Sequence, residues 1–326
     1  MACYHPMYRL EDFSGRVYIC GAEEYDERAP TEKARLKLKY KRMDLIPCGK
    51  CIGCRLKYSA DWATRIMCES EEWNNNWFLT LTYDDIHLPY DSCVDTDTGE
   101  MMATNPTLDS EHLTRFLKSL RKRYERQGHQ PIRFYACGEY GSKYDRPHYH
   151  LCVFNMPIKE EDLKEIKKKD GHIYYTVEWL EKLWGKGYII ITDLSWETAA
   201  YTARYMLKKQ LGDGGLSRTL KGQEPEFTRM SRRPGIGANW IAKHADEVYK
   251  NDGIAYKGRF LKPPAYFDDK YDLMGGDIEK IKKQRKNSAE RAETVSATHD
   301  TRTRQEVRNI KERSKAEQIR TLRREL

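Results

Sequence analysis

Two runs rich in β-forming residues, Ile132–Glu139 and Pro147–Phe154, are separated by the turn-forming stretch Gly141-Ser142-Lys143-Tyr144-Asp145. Strands joined across so short a connection pair as an antiparallel hairpin, and that hairpin constrains everything placed around it. Residues two apart on a strand share a face, so His148 and His150 point one way and Tyr149 the other. Glu139 ends the first strand. If it pairs opposite His148, its carboxylate joins the two imidazoles on one sheet face. Two neutral imidazoles and a carboxylate suit Mg²⁺ or Mn²⁺, with coordination positions left for phosphate oxygens.

The flanking segments supply the frame. Trp77-Phe78-Leu79-Thr80-Leu81-Thr82-Tyr83 reads as a buried strand. A helix is expected near 109–126, with Leu113, Phe116, Leu117 and Leu120 on its inner face. Helical segments follow at about 159–168 and from Val177 to Leu183, then a strand over Tyr188–Thr192. Ser195 is a good N-cap for a helix running to about Leu211, with Glu197 in its first turn. The order β-α-β-β-α-β-α predicts an α+β, ferredoxin-like antiparallel sheet with flanking helices, the last helix laid across the sheet. That last helix carries Tyr201 and Tyr205 at i and i+4, so both emerge on one side, with Lys208 and Lys209 a turn later. A His-x-His arises by accident about 0.25 times in a chain of this composition, and Tyr-x-x-x-Tyr about 1.5 times. Neither match carries weight alone; their order along one frame does.

Charge divides the chain. Of the net charge of +8, the stretch from Glu279 to Leu326 holds +7, with 15 Lys/Arg against 8 Asp/Glu and neither an aromatic residue nor a proline. Such a tail builds no core and is expected to be a solvated helix or disordered; contact with phosphate backbone is its functional alternative. Lys33, Arg35, Lys37, Lys39 and Lys41 alternate with Ala34, Leu36, Leu38 and Tyr40. Period two predicts a strand with one basic face, either a phosphate-backbone groove or a lysine-guarded edge. Lys118, Arg121, Lys122, Arg123 and Arg126 read as a solvated helix face. The resulting division is residues 1–70 as an N-terminal element, 71–270 as the main domain and 271–326 as the charged tail.

No run of about 18 apolar residues is present to span a membrane. The N-terminus lacks a basic-then-apolar signal, so the expected compartment is cytosolic. The nine cysteines are then expected as reduced thiols or metal ligands. Cys48, Cys51 and Cys54, at two consecutive two-residue spacings, favour Zn²⁺, which normally takes four ligands. Candidates for the fourth are Cys3, His5 and Cys68, in that order; the alternative is three reduced cysteines in a loop. Cys20, Cys93, Cys137 and Cys152 look isolated, the last two as core thiols on strands.

These residues also resemble a known superfamily. Phe78-Leu79-Thr80-Leu81-Thr82 is similar to the first motif of HUH endonucleases, and Pro147-His148-Tyr149-His150-Leu151 to the second. Tyr201-Thr202-Ala203-Arg204-Tyr205-Met206-Leu207-Lys208-Lys209 resembles the two-tyrosine third motif of phage rolling-circle initiators. Pro47-Cys48-Gly49-Lys50-Cys51-Ile52-Gly53-Cys54-Arg55 and Gly138-Glu139-Tyr140-Gly141 resemble the replication initiation proteins of gokushovirus-like Microviridae. The resemblance covers about 45–240 and the short cysteine-containing N-terminus.

It implies a metal-dependent nickase acting on single-stranded DNA and on double-stranded origin DNA in the cytoplasm of a bacterial host. Tyr201 or Tyr205 would become joined to the 5′ end, Lys208 or Lys209 would stabilise phenolate or phosphate, and the free 3′ hydroxyl would prime a host polymerase. No Gly-x-x-x-x-Gly-Lys-Ser/Thr is present, so unwinding is expected from a host helicase. Arg229–Trp240 is a basic, glycine-containing stretch, open between origin-hairpin contact and an ordinary exposed loop. Two other classes stay open: a non-enzymatic zinc-containing nucleic-acid binder, and a related HUH transposase or relaxase. Transposases of this type usually carry one tyrosine and relaxases three histidines, so the Tyr201–Tyr205 pair and Glu139 speak against that second class.

Overall fold

The computed structural model describes residues 3–26, 28–94, 97–141, 143–169, 171–209, 222–297 and 302–320. It is a mixed α+β structure that divides into two compact units, Met1–Tyr58 with Glu279–Leu326, and Ser59–Ile278.

The first unit is built on β1 (Met7–Asp12), β2 (Val17–Gly21), α1 (Ala22–Asp26), α2 (Pro30–Lys39) and β3 (Tyr40–Ile46), followed by the start of α3 (Ile52–Ser70). Its strands form an antiparallel sheet in the order β2-β1-β3. The turn between β1 and β2 closes on the Asp12 carboxylate, which accepts from the Ser14 and Arg16 N–H groups at 2.9 and 3.0 Å.

The strand expected over 33–41 is a correction: the chain is helical from Pro30 to Lys39 and extended only from Tyr40. Pro30 stands in the first helical turn, where its missing N–H costs nothing. Ala, Leu, Lys, Arg and Glu are strong helix formers, and the sole β-branched residue of the segment is Thr31. Period two prevails only where a core face enforces it, yet α2 buries no residue and Leu38 is 80% exposed. At helical spacing the cations spread around the axis, so no single basic strand face exists.

The second unit rests, among the described residues, on a seven-stranded antiparallel sheet. Its strands in chain order are β4 (Trp77–Thr82), β7 (Arg133–Tyr140), β8 (Pro147–Phe154), β9 (Lys164–Lys169), β10 (His172–Thr176), β11 (Ile189–Asp193) and β12 (Phe227–Met230), and β5 (Tyr90–Val94) pairs with β6 (Met101–Pro106) separately. The order across the sheet is β12-β7-β8-β4-β11-β10-β9. On one face α4 (Ser110–Arg126) and α5 (Glu178–Trp184) cover Leu79, Leu81, Tyr149, Leu151, Val153 and Ile191 with Leu113, Phe116, Leu117, Leu120, Leu180 and Trp184. Asp109 caps α4, its side chain accepting from the N–H groups of Glu111 and His112. On the opposite face α6 (Trp196–Lys209) packs against β7 and β8, the position expected for the last helix.

Two further segments differ from the sequence reading. Residues 159–168 are not a helix: a single turn at Glu160–Asp162 leads into β9, which pairs with β10 as a hairpin. Lys-Glu-Ile-Lys-Lys-Lys is helix-prone by itself, but Asp170-Gly171 is a hairpin turn pair and Ile173-Tyr174-Tyr175-Thr176 is a strong strand that recruits it. Arg229–Trp240 is not an ordinary exposed loop: its first two residues end β12, Ser231 is buried, and Ala238–Trp240 open α7 (Ala238–Asn251). The stretch between is anchored on a buried ion pair of Arg133 with Glu69. The Pro234 carbonyl accepts from Arg133 at 2.9 Å and the Gly237 N–H donates to Glu69 at 2.7 Å.

The chain ends with β13 (Ile254–Tyr256), β14 (Arg259–Leu261), α8 (Ala265–Leu273), α9 (Ile278–Ala297) and α10 (Arg304–Arg320), so the described parts of the charged tail are helical. No described helix is long and apolar enough to cross a membrane.

Candidate active site

The alternation of β8 decides the site. Tyr149, Leu151 and Val153 turn to the α4/α5 side, leaving His148, His150 and Cys152 under α6. Registers on both sides of β8 then bring in the partners: Glu139 of β7 lies opposite His148, and Thr80 of β4 opposite His150. Nε2 of His148 is 2.7 Å and Nε2 of His150 2.8 Å from the same oxygen, Oε1 of Glu139. The outward nitrogens are held as well. Nδ1 of His148 donates to the Arg146 carbonyl at 3.2 Å, and Nδ1 of His150 meets Thr80 Oγ1 at 2.9 Å. Phe78 stacks on His150 with ring centres 5.4 Å apart.

Electrostatics follow from this packing. Burial alone would push the Glu139 carboxyl up, but the facing imidazoles of His150 and His148 outweigh it and hold it at about 2. Burial tends to lower His148, yet its hydrogen bond and attraction to Glu139 leave it above the ordinary histidine value. In His150 burial wins and the value falls. The three side chains fit a divalent cation: their ligand atoms lie within 4.8 Å of one another. Glu139 Oε2 is buried without a hydrogen-bond partner among the described residues, an orphan that a bound ion would satisfy. Each imidazole also offers Nε2 to the common point while Nδ1 is engaged elsewhere, the arrangement that fixes a metal-binding tautomer.

The helix above carries the tyrosines. Ser195 and Thr198 cap α6 reciprocally, Ser195 Oγ accepting from the Thr198 N–H at 3.2 Å and Thr198 Oγ1 from the Ser195 N–H at 2.9 Å. Thr202 lies buried against Cys152. Tyr201, half-buried, sets its ring edge-on to His150, with centres 5.2 Å apart. Tyr205, Lys208 and Lys209 follow on the same helix, with their side chains outside the described residues. Sequence reasoning missed Thr80 as the His150 partner, although it stands in the Phe78–Thr82 strand and period two would have found it. It also missed Glu226, which raises His148 electrostatically and accepts from the Tyr140 N–H at 3.1 Å. Glu226 belongs to no motif, and only the docking of β12 on β7 brings its segment here.

A second cluster lies in the first unit. Cys3, Cys48, Cys51 and Cys54 place their sulfurs within 4.8 Å of one another; His5 and Cys68 are not among them. His5 instead pairs with Glu312 at 2.6 Å, and Cys68 is buried in α3. Burial would raise the Cys51 thiol, but N–H groups of Tyr4 and Cys54 bring it down to about 7. Cys137 and Cys152 are buried thiols on strands.

Comparison with known proteins places this geometry in context. The family model of the replication-associated protein ORF2 matches residues 76–210, which include the β7–β8 hairpin and α6. The chain is 38% identical over 258 residues to the replication-associated protein ORF2 of Spiroplasma virus 4, spanning 76% of this chain and 75% of that one. It is 31% identical over 233 residues to the replication-associated protein VP4 of Bdellovibrio phage phiMH2K, spanning 69% and 67%. The replication-associated protein ORF4 of Chlamydia phage 1 is 29% identical over 227 residues, 69% of this chain and 53% of that one. No solved structure matches.

Proposed function

The chain belongs to the ORF2 family of phage replication-associated proteins, and on that premise we propose that it initiates rolling-circle replication as a tyrosine nickase. The observation that carries this reading is the convergence of Glu139, His148 and His150 beneath the helix of Tyr201. Residues 71–270 would form the catalytic domain, acting on single-stranded and origin double-stranded phage DNA in the host cytoplasm.

Glu139 Oε1 with Nε2 of His148 and His150 would hold Mg²⁺ or Mn²⁺. Such an ion supplies Lewis acidity and charge neutralisation at the scissile phosphate. Tyr201 or Tyr205 attacks phosphorus: a bond forms from the phenol oxygen, the bond from phosphorus to the 3′ oxygen breaks, and the proton ends on the departing 3′ hydroxyl. The 5′ phosphate stays on the tyrosine. A phenol with a pKa near 10 is a weak nucleophile at neutral pH, so positioning and nearby cations matter, a role for Lys208 and Lys209. The released 3′ hydroxyl primes a host polymerase while a host helicase unwinds, and the second tyrosine permits transfer that closes the displaced circle.

The test is incubation with a 3′-labelled single-stranded origin oligonucleotide and Mn²⁺, followed by a denaturing gel. Wild type carries the label into a covalent protein adduct, and Tyr201→Phe with Tyr205→Phe together lose it. An adduct undiminished in the double variant, or none in wild type, defeats the nickase.

A further inference from the structure

The nickase reading uses nothing from the first unit, yet that unit brings together four thiols from segments 45 residues apart. The Sγ atoms of Cys48 and Cys54 lie 4.0 Å apart, those of Cys3 and Cys51 3.9 Å, and all four fall within 4.8 Å. A disulfide would need about 2.05 Å, so these pairs are not bonded. One ion with metal–sulfur distances of about 2.3 Å at the centre of a tetrahedron sets its sulfurs about 3.8 Å apart. A four-iron cluster interposes several metal and sulfide atoms between its thiolates and needs a wider cage. The observed spacing matches the single ion.

The backbone is arranged for thiolates rather than thiols. The Tyr4 N–H donates to Cys51 Sγ at 3.3 Å, the Cys48 N–H to Cys3 Sγ at 3.2 Å, and the Cys51 N–H to Cys48 Sγ at 3.3 Å. Hydrogen bonds to sulfur favour its charged form. The unit around them has little else to hold it: beyond the cysteines, its buried apolar residues among those described are Leu10, Ala22, Tyr25, Tyr40 and Ile281. Small units with thin cores are commonly held by a metal, whose binding energy then counts as folding energy.

We infer that Cys3, Cys48, Cys51 and Cys54 bind one Zn²⁺ as a closed structural site, and that this ion holds the N-terminal residues where they seat α10. The residues beside Cys3 make the seating contacts. The Tyr4 carbonyl accepts from Gln305 at 3.4 Å, and His5 Nε2 meets Glu312 Oε2 at 2.6 Å. The ion thus ties both ends of the chain into one unit, with every coordination position filled by sulfur and none left for substrate.

The experiment uses the full chain purified without added metal. Elemental analysis is expected to find about one Zn²⁺ per chain, and X-ray absorption four sulfurs at about 2.3 Å. Cys3→Ser lowers zinc affinity at least tenfold. Should that variant fail to fold, exchange of wild type with Co²⁺ gives the visible bands of a tetrahedral thiolate site. Stripping the zinc speeds proteolytic cleavage within Arg304–Arg320 at least tenfold, and returning it restores protection. Iron with labile sulfide, a metal-free protein, fewer than four sulfurs, or tail cleavage indifferent to zinc would each overturn the proposal. None of these results bears on adduct formation in the Tyr201→Phe and Tyr205→Phe assay, so the two readings fail separately.

Discussion

The two clusters of ligating side chains solve opposite problems. Glu139, His148 and His150 sit on adjacent strands inside an extensive core, present two nitrogens and an oxygen, and stop at three. Cys3, Cys48, Cys51 and Cys54 lie in loops and at the start of a helix in a unit with few buried residues, and reach four. Three hard or borderline donors on a rigid sheet leave room for a phosphate; four sulfurs leave none. The contrast teaches that a centre able to act on a substrate borrows its rigidity from the fold, whereas a centre that supplies rigidity is saturated by its own chain.

The severest test of this contrast is His148→Ala with His150→Ala. Mn²⁺-dependent adduct formation should fall to background, beyond the roughly 10–100-fold cost of losing a second-shell partner, while bound zinc, measured on the same sample, stays unchanged. Loss of zinc in that variant would erase the distinction. Next comes Arg133→Ala, which strands the buried Glu69 carboxylate. Urea unfolding of the second unit should show a loss of about 3–5 kcal/mol, and the double change Arg133→Met with Glu69→Leu should recover much of it. A second unit that unfolded instead on zinc removal would contradict its self-sufficiency.

Thr80→Val, which removes the hydroxyl on His150 Nδ1, should weaken Mn²⁺ binding about 10–100-fold in a calorimetric titration. The mildest effect is that of pH. His148 holds its proton above the ordinary histidine value because of Glu139, and the ion needs that nitrogen bare. As pH falls through that raised value the proton competes, so Mn²⁺ affinity should drop by up to about tenfold per unit. Affinity flat between pH 8 and pH 6 would remove the competing proton from the account.

The sheet site was legible because it depends on short-range rules. Period two put His148 and His150 on one face, and a five-residue turn set Glu139 against His148, as the register shows. The cap at Ser195 and the placement of α6 followed from equally local signals. What escaped depends on distant parts of the chain. The ten residues from Pro30 read as a strand because alternation of Lys and Leu satisfies two periods at once, and no core was there to choose between them. β9 took its conformation from β10, not from its own residues. The meeting of Cys3 with Cys48 spans 45 residues, and spacing within one segment could rank Cys3 first among candidates without bringing it there. Glu226 reaches the His148 side only through pairing of β12 with β7.

Tyr149 has a consequence for how the hairpin tolerates change. Its hydroxyl is fastened inside the core, 2.8 Å from that of Tyr83, donating to the Asp109 carbonyl at 2.7 Å and accepting from the Asp109 N–H at 3.0 Å. A slip of one residue would drive an imidazole into that apolar layer and turn the phenol out. Tyr149 therefore works as an error check on strand alignment: a misaligned chain loses its core before it can present a defective site. Lengthening the turn at 141–146 leaves the check intact, whereas a single insertion inside β8 fails it, which marks where this family can vary in length.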